Sequence, residues 1–204
     1  IVAAVMTLVC GLLTKERIKP KRAEKFSFTQ YSNLITNKPW IYMTLVAICT
    51  NFFNGFRYAA AGYMITYCLG GDVTVGALII NYTVFMAFGE VTCMIFGGLS
   101  PAFTRWAGSK RKAFVYSSAI CAISSIAYFF IPMDPAYIWV MVVISIITSI
   151  GAGLYSPLIW SMYADVSDYA TEKYGTSSTG LIFSSGTMAQ KFGGAISGSL
   201  IALL

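Results

Sequence analysis

An all-α bundle that crosses a membrane several times is the fold class this sequence predicts, on three observations. Of its 204 residues, 57% are hydrophobic and only 11% charged, against roughly 25% charged in soluble domains. Five apolar stretches, 40–67, 76–99, 113–131, 136–163 and 180–204, each reach the length of about 20 residues that a bilayer-crossing helix needs. The basic residues gather in two short connections between these stretches.

The elements follow in chain order. Residues 1–13, "IVAAVMTLVCGLL", are apolar but short for a span, so they are expected to be the end of a transmembrane helix whose beginning lies upstream. Residues 14–39 carry Lys15, Arg17, Lys19, Lys21, Arg22, Lys25 and Lys38 against Glu16 and Glu24. Because Lys and Arg accumulate in short cytoplasmic loops, this segment is expected inside the cell. Residues 40–204 then form a bundle of five helices. The connection "SPAFTRWAGSKRK" is basic, whereas "GGDVTV" and "PMDP" hold only Asp72 and Asp134. That alternation places the two aspartate loops outside and the loop from Asp165 to Ser178 inside. Gly151, Gly153 and Pro157 interrupt the fourth span and predict either a kink beside a cavity or an irregularity of helix packing.

Composition also excludes function classes. A net charge of +6 could suit nucleic acid, but a nucleic-acid binder needs its basic groups on one folded face with stacking or base-reading side chains. The chain has no histidine, its five cysteines are scattered singly, and no cofactor motif or nucleophile–base pair stands at helical spacing. An enzyme, a bound cofactor and a metal centre on this stretch are not expected.

Charges inside apolar runs mark candidate sites, because a charge at the bilayer centre costs about 2.5–3.5 kcal/mol on insertion scales and is kept where water, a counter-ion or a substrate compensates. Lys191 stands about 12 residues into the last span, some 18 Å deep at 1.5 Å per residue. Helical spacing puts it on one face with Ser184, Thr187, Gly194, Ala195 and Gly198, a face suited to a bundle interior. Gly194 with Gly198, and Gly193 with Ser197, form two small-xxx-small pairs. Arg57 shares a face with Thr50, Asn54 and Ala61, and Glu90 one with Thr83, Ala87 and Gly97. Counted from their shared outer loop, Arg57 and Glu90 lie within about one turn of the same depth, so they either neutralise each other as an ion pair or serve a polar substrate. Asn54, Tyr58, Tyr63, Tyr155 and Thr187 are further candidates for a substrate cavity, since they offer hydrogen-bonding groups and aromatic faces to a polar substrate. Asp165 and Asp168, one turn apart at the expected cytoplasmic helix end, predict a gate of ion pairs with the basic connection, through Arg105 and Arg111.

The run "ADVSDYATEKYGTSSTGLIFSSGTMAQKFGGAISG" resembles the signature region of the glycoside–pentoside–hexuronide:cation symporters, the melibiose-permease-like branch of the major facilitator superfamily. That signature is written AD-x-x-DYGE-x-x-x-G-x-R-x-x-G followed by a helix carrying QK or VK. The "TKER", "NKPW" and "FRYAAAGYMITYCLGG" segments are similar to the same family's second half. Two positions depart from the signature: Thr171 replaces the glutamate, with Glu172 displaced by one, and Ser177 replaces the arginine. The resemblance implies a fold of two six-helix halves, of which this chain holds an incomplete C-terminal half. It also implies that Lys191 is the family's buried lysine, near cation-binding carboxylates in the absent N-terminal half. The expected function is cation-coupled symport, with Na+ or H+, of a sugar, glycoside or hexuronide across the bacterial inner membrane. The expected partners are that substrate, the coupling cation, the lipid bilayer and the N-terminal half. A transporter of lysolipid or another amphiphile and a non-transporting sensor or scaffold are the alternatives.

Overall fold

The computed structural model describes residues 2–13, 32, 34–75, 78–175 and 179–203. The expected basic loop over 14–39 therefore falls mostly outside the described residues, as does Ser177. A short apolar helix, α1 (Val2–Leu13), is followed by α2 (Lys38–Tyr63), which starts with Pro39 in its first turn, where the missing N–H costs no helical bond. One wider turn, Met64–Cys68, extends α2. Gly70 and Gly71, at φ 79° and 95°, then redirect the chain.

A two-stranded antiparallel hairpin comes next, β1 (Val73–Val75) and β2 (Leu78–Ile80), with Val73 opposite Ile80. It corrects the expectation of a helix from residue 76. The β-branched run continues the apolar character of the following helix, which hides the change of structure. Helix α3 (Tyr82–Ala107) begins where the Asn81 side chain accepts a hydrogen bond from the Val84 N–H at 2.9 Å, and it ends at Gly108 with φ 78°. It runs eight residues past the expected boundary and includes Pro101, so the basic connection shrinks to a tight turn. Ser109 caps α4 (Lys110–Phe129) through the Lys112 N–H at 3.2 Å.

A single turn at Pro135–Tyr137 leads into α5 (Ile138–Tyr174), 37 residues long and ended by Gly175 at φ 68°. Asp165 and Asp168 thus lie inside a helix, two turns or so before its end. This corrects both the expected loop from 165 and the unfavourable placement at a helix terminus. Helix α5 also continues through Pro157. Its glycines serve packing, since a Cβ on Gly153 would come within 2.6 Å of the Cys93 carbonyl oxygen on α3. Helix α6 (Thr179–Ala202) closes the described chain.

Three helical segments, Tyr82–Ala107, Lys110–Phe129 and Pro135–Tyr174, are long and apolar enough to cross a membrane. Helices α2 and α6, of 26 and 24 residues, have comparable length but carry more polar stripes, the former with Asn51, Asn54 and Arg57, the latter with Ser184, Thr187, Gln190 and Lys191. Helix α5 is the hub that meets all four other helices of the bundle. The closest-packed groups are the pair α2–α6 and the trio α3–α4–α5, with thinner contact between pair and trio. One apolar core, with Tyr155, Tyr163, Ile182 and Ala189, lies along α5 and α6; a second, with Ile65, Ile80, Phe85 and Met141, seals the hairpin end.

Candidate functional site

Helix α6 presents two unlike faces. Ile182, Ser185, Gly186, Ala189, Gly193 and Ser197 are buried. A Cβ on Gly193 would stand 2.5 Å from the Ile48 carbonyl oxygen, so glycine is what lets α6 lie against the α2 backbone. The opposite face carries Lys191 with Ser184, Thr187, Gly194, Ala195 and Gly198, all exposed. Of the two small-residue pairs, Gly193 with Ser197 is used within this chain, whereas a Cβ on Gly194 or Gly198 would meet nothing within 4 Å. Lys191 lies halfway along its helix on a polar face that no described residue covers. Thr187 on that face returns its hydroxyl to the Ser184 carbonyl at 2.7 Å.

The second site lies between α2, α3, α4 and α5, around a cavity of about 270 Å³. Arg57 and Glu90 both line it, as their common depth suggests. Among the described residues the two make no ion pair within 4 Å, in place of the pairing considered from the sequence. Arg57 Nη1 instead donates to Ser149 Oγ at 3.1 Å, and its guanidinium stands 5.0 Å from the centre of the Tyr58 ring. The Tyr58 hydroxyl donates to Glu90 Oε1 at 2.5 Å. Tyr58 is therefore interposed between the two charges. Asn54 and Tyr155, named with them, bond each other at 3.0 Å, and neither lines the cavity; Tyr155 is only 3% exposed. Tyr63 is exposed and stacks on Tyr67 at 5.5 Å.

Sequence reasoning missed the hydroxyl groups here. Ser145 and Ser149, one turn apart on α5, both line the cavity, with Ser125 of α4 opposite. The available signal was their spacing of four residues, which puts both on the side of α5 that receives Arg57.

At the other end of the bundle, Lys110 Nζ meets Asp165 Oδ2 at 2.7 Å, joining the start of α4 to α5. This is the ion pair the structure forms between the basic connection and the acidic motif, and it uses Lys110. Arg105, Arg111 and Asp168 are exposed and form no ion pair among the described residues. Both partners of the observed pair are substantially exposed, at 39% and 55%.

No group of three or more metal-ligating side chains converges among the described residues. The family model described as "MFS/sugar transport protein" matches residues 1–204. Among curated proteins, the "Inner membrane symporter YicJ" of Escherichia coli K12 is 27% identical over 98% of this chain and 42% of its own length. An "Uncharacterized 29.9 kDa protein in crtE 3'region" of Pseudescherichia vulneris is 29% identical over 73% of this chain and 51% of its own. A "Putative sulfoquinovose importer" of Salmonella typhimurium is 23% identical over the whole chain and 43% of its own length. The chain thus spans about half the length, or less, of the curated relatives it matches. No solved structure matches it. The family match over the full sequence, together with the apolar helices, identifies a multi-pass membrane chain: it belongs to the MFS/sugar transport protein family, as its resemblance to the glycoside–pentoside–hexuronide symporters indicates.

Proposed function

We propose that the protein carrying this chain performs cation-coupled symport of a sugar, glycoside or hexuronide across the bacterial inner membrane, driven by Na+ or H+. The observation that carries this reading is the position of Lys191, midway along α6 on a small, polar face that no described residue covers. An ammonium at that depth needs a negative partner. In the proposal that partner is a set of carboxylates on an N-terminal half, which also bind the coupling cation. Lys191 then competes with the cation, so occupancy of the cation site changes how the two halves pack. The cavity alternates between the two sides of the membrane as the halves rock. Tyr58 and Thr187 remain proposed contributors to sugar binding, with Thr187 favoured by its place on the Lys191 face, whereas Asn54 and Tyr155 are engaged with each other.

The Lys110 end of the bundle is assigned to the cytoplasm, because the basic connection between α3 and α4 lies there and positive loops stay inside. The Lys110–Asp165 pair then serves as a cytoplasmic gate contact, with Asp168, Arg105 and Arg111 available as exchange partners in other states.

Proteoliposomes containing the full-length protein test the proposal. Uptake of labelled sugars, glycosides and uronides is measured under an imposed Na+ or H+ gradient. Accumulation above the no-gradient level under one of the gradients is expected. Flux that ignores both gradients would replace symport with facilitated diffusion, and absence of flux for the whole panel would favour the sensor reading.

A further inference from the structure

The cavity between α2 and α5 is separate from the Lys191 face, since no α6 residue lines it. Arg57 is a cation at a depth where charge needs an opposite charge, yet its contacts here are neutral: the Ser149 hydroxyl and the face of Tyr58. Glu90 takes the Tyr58 hydroxyl and is itself exposed. A guanidinium has five N–H donors, and the hydrogen bond to Ser149 uses one of them.

Other donors converge beside it. Ser149 accepts from Arg57, so its own proton is free to point elsewhere, and neither Ser145 nor Ser149 donates its hydroxyl to an acceptor among the described residues. Gly89 of α3 completes the arrangement. The point where a Cβ of residue 89 would stand is 2.9 Å from Ser149 Oγ and 3.9 Å from Ser145 Oγ. The former is closer than a side chain tolerates, so glycine at this position is what lets α3 pass against Ser149 on the wall of the cavity that Arg57, Ser145 and Ser149 all line.

We propose that Arg57, Ser145 and Ser149 form a binding site for a small monovalent anion, a halide or a carboxylate, in the cavity that they line. One guanidinium matches one negative charge, and the fork geometry of arginine suits a carboxylate in particular. Glu90 is the negative group on the cavity wall and opposes the anion across Tyr58. The anion is either a free ion or the acid group of a carried sugar, and the chemistry of the site is the same for both.

The test uses the full-length protein in detergent, with thermal unfolding followed as chloride, acetate or glucuronate is added and glucose as the uncharged control. An anion-dependent rise in Tm is expected. A rise with chloride or acetate identifies a free ion; a rise with glucuronate alone, and not with glucose, identifies an acid group on a sugar. Arg57→Gln should weaken the effect at least about tenfold, because hydrogen bonds to a charged group are worth about 1.5–3 kcal/mol. Glu90→Gln should strengthen it several-fold. The double variant Ser145→Ala with Ser149→Ala removes both hydroxyls without altering any charge or adding bulk and should abolish the effect, which decides the matter if Arg57→Gln does not fold. No anion-dependent rise in the wild type, or one that survives both Arg57→Gln and the double serine variant, overturns the site. Equal weakening by Arg57→Gln and Glu90→Gln overturns it too, in favour of a purely structural charge pair. None of these readouts depends on transport, so they stand or fall independently of the symport proposal.

Discussion

The side-chain amide of Asn54 donates to the Tyr155 hydroxyl at 3.0 Å, a polar bond linking the α2–α6 pair to the α3–α4–α5 trio at a point where Tyr155 is only 3% exposed. Within each group the helices pack through glycine and small side chains, whereas this seam is held partly by such side-chain bonds, including Arg57 to Ser149 and Tyr58 to Glu90. Replacing Asn54 by leucine leaves the Tyr155 hydroxyl without its donor and should cost about 1–3 kcal/mol. Adding Tyr155→Phe to that variant removes the stranded group and should recover part of the loss. Thermal or denaturant unfolding of the four proteins in a double-mutant cycle measures the coupling; strict additivity would show that the bond contributes nothing across the seam.

Gly193 and Gly194 are neighbours in sequence with opposite surroundings, one against the Ile48 carbonyl and the other open. Gly193→Val should destabilise the protein by about 1–3 kcal/mol through overpacking. Gly194→Ala should change unfolding little if this face borders an aqueous cavity. A severe loss from Gly194→Ala would mean that the N-terminal half packs directly on it.

The Lys110–Asp165 pair is exposed enough that its contribution to stability should stay below about 1 kcal/mol. Its proposed role is in switching between states. Asp165→Lys should impair uptake while leaving the unfolding temperature nearly unchanged, and the exchanged pair Lys110→Asp with Asp165→Lys should restore uptake. Failure of the exchange to restore it would remove this contact from the gate.

Much of this architecture was legible in the sequence because a bilayer imposes a simple rule: long apolar runs become helices. The rule fails where one apolar run contains two structures. "DVTVGALII" carries no polar break before Tyr82, so the hairpin and the start of α3 read as one span. The ends of α3 and α5 lie beyond the apolar runs for a related reason. Charged and polar residues such as Arg105 and Asp165 suggest the end of a helix, whereas the chain stays helical until Gly108 and Gly175 adopt positive φ. At the sites, Arg57, Glu90 and Lys191 stood out as charges in apolar surroundings. Ser145 and Ser149 did not, because serine in a membrane helix commonly bonds its own backbone, as Ser117 does to the Ala113 carbonyl at 2.9 Å. Tyr58 as the group between Arg57 and Glu90 required three-dimensional placement, since depth alone cannot tell a direct pair from an interposed ring.

Gradient-driven accumulation by the Lys191→Ala variant of the full-length protein, compared with its exchange of sugar in the absence of a gradient, tests the central claim most directly. Loss of accumulation to the no-gradient level with sugar exchange retained is the predicted result, because coupling fails while the sugar path survives. Accumulation equal to that of the wild type would contradict the role of Lys191 and, with it, the coupling mechanism proposed for this family member.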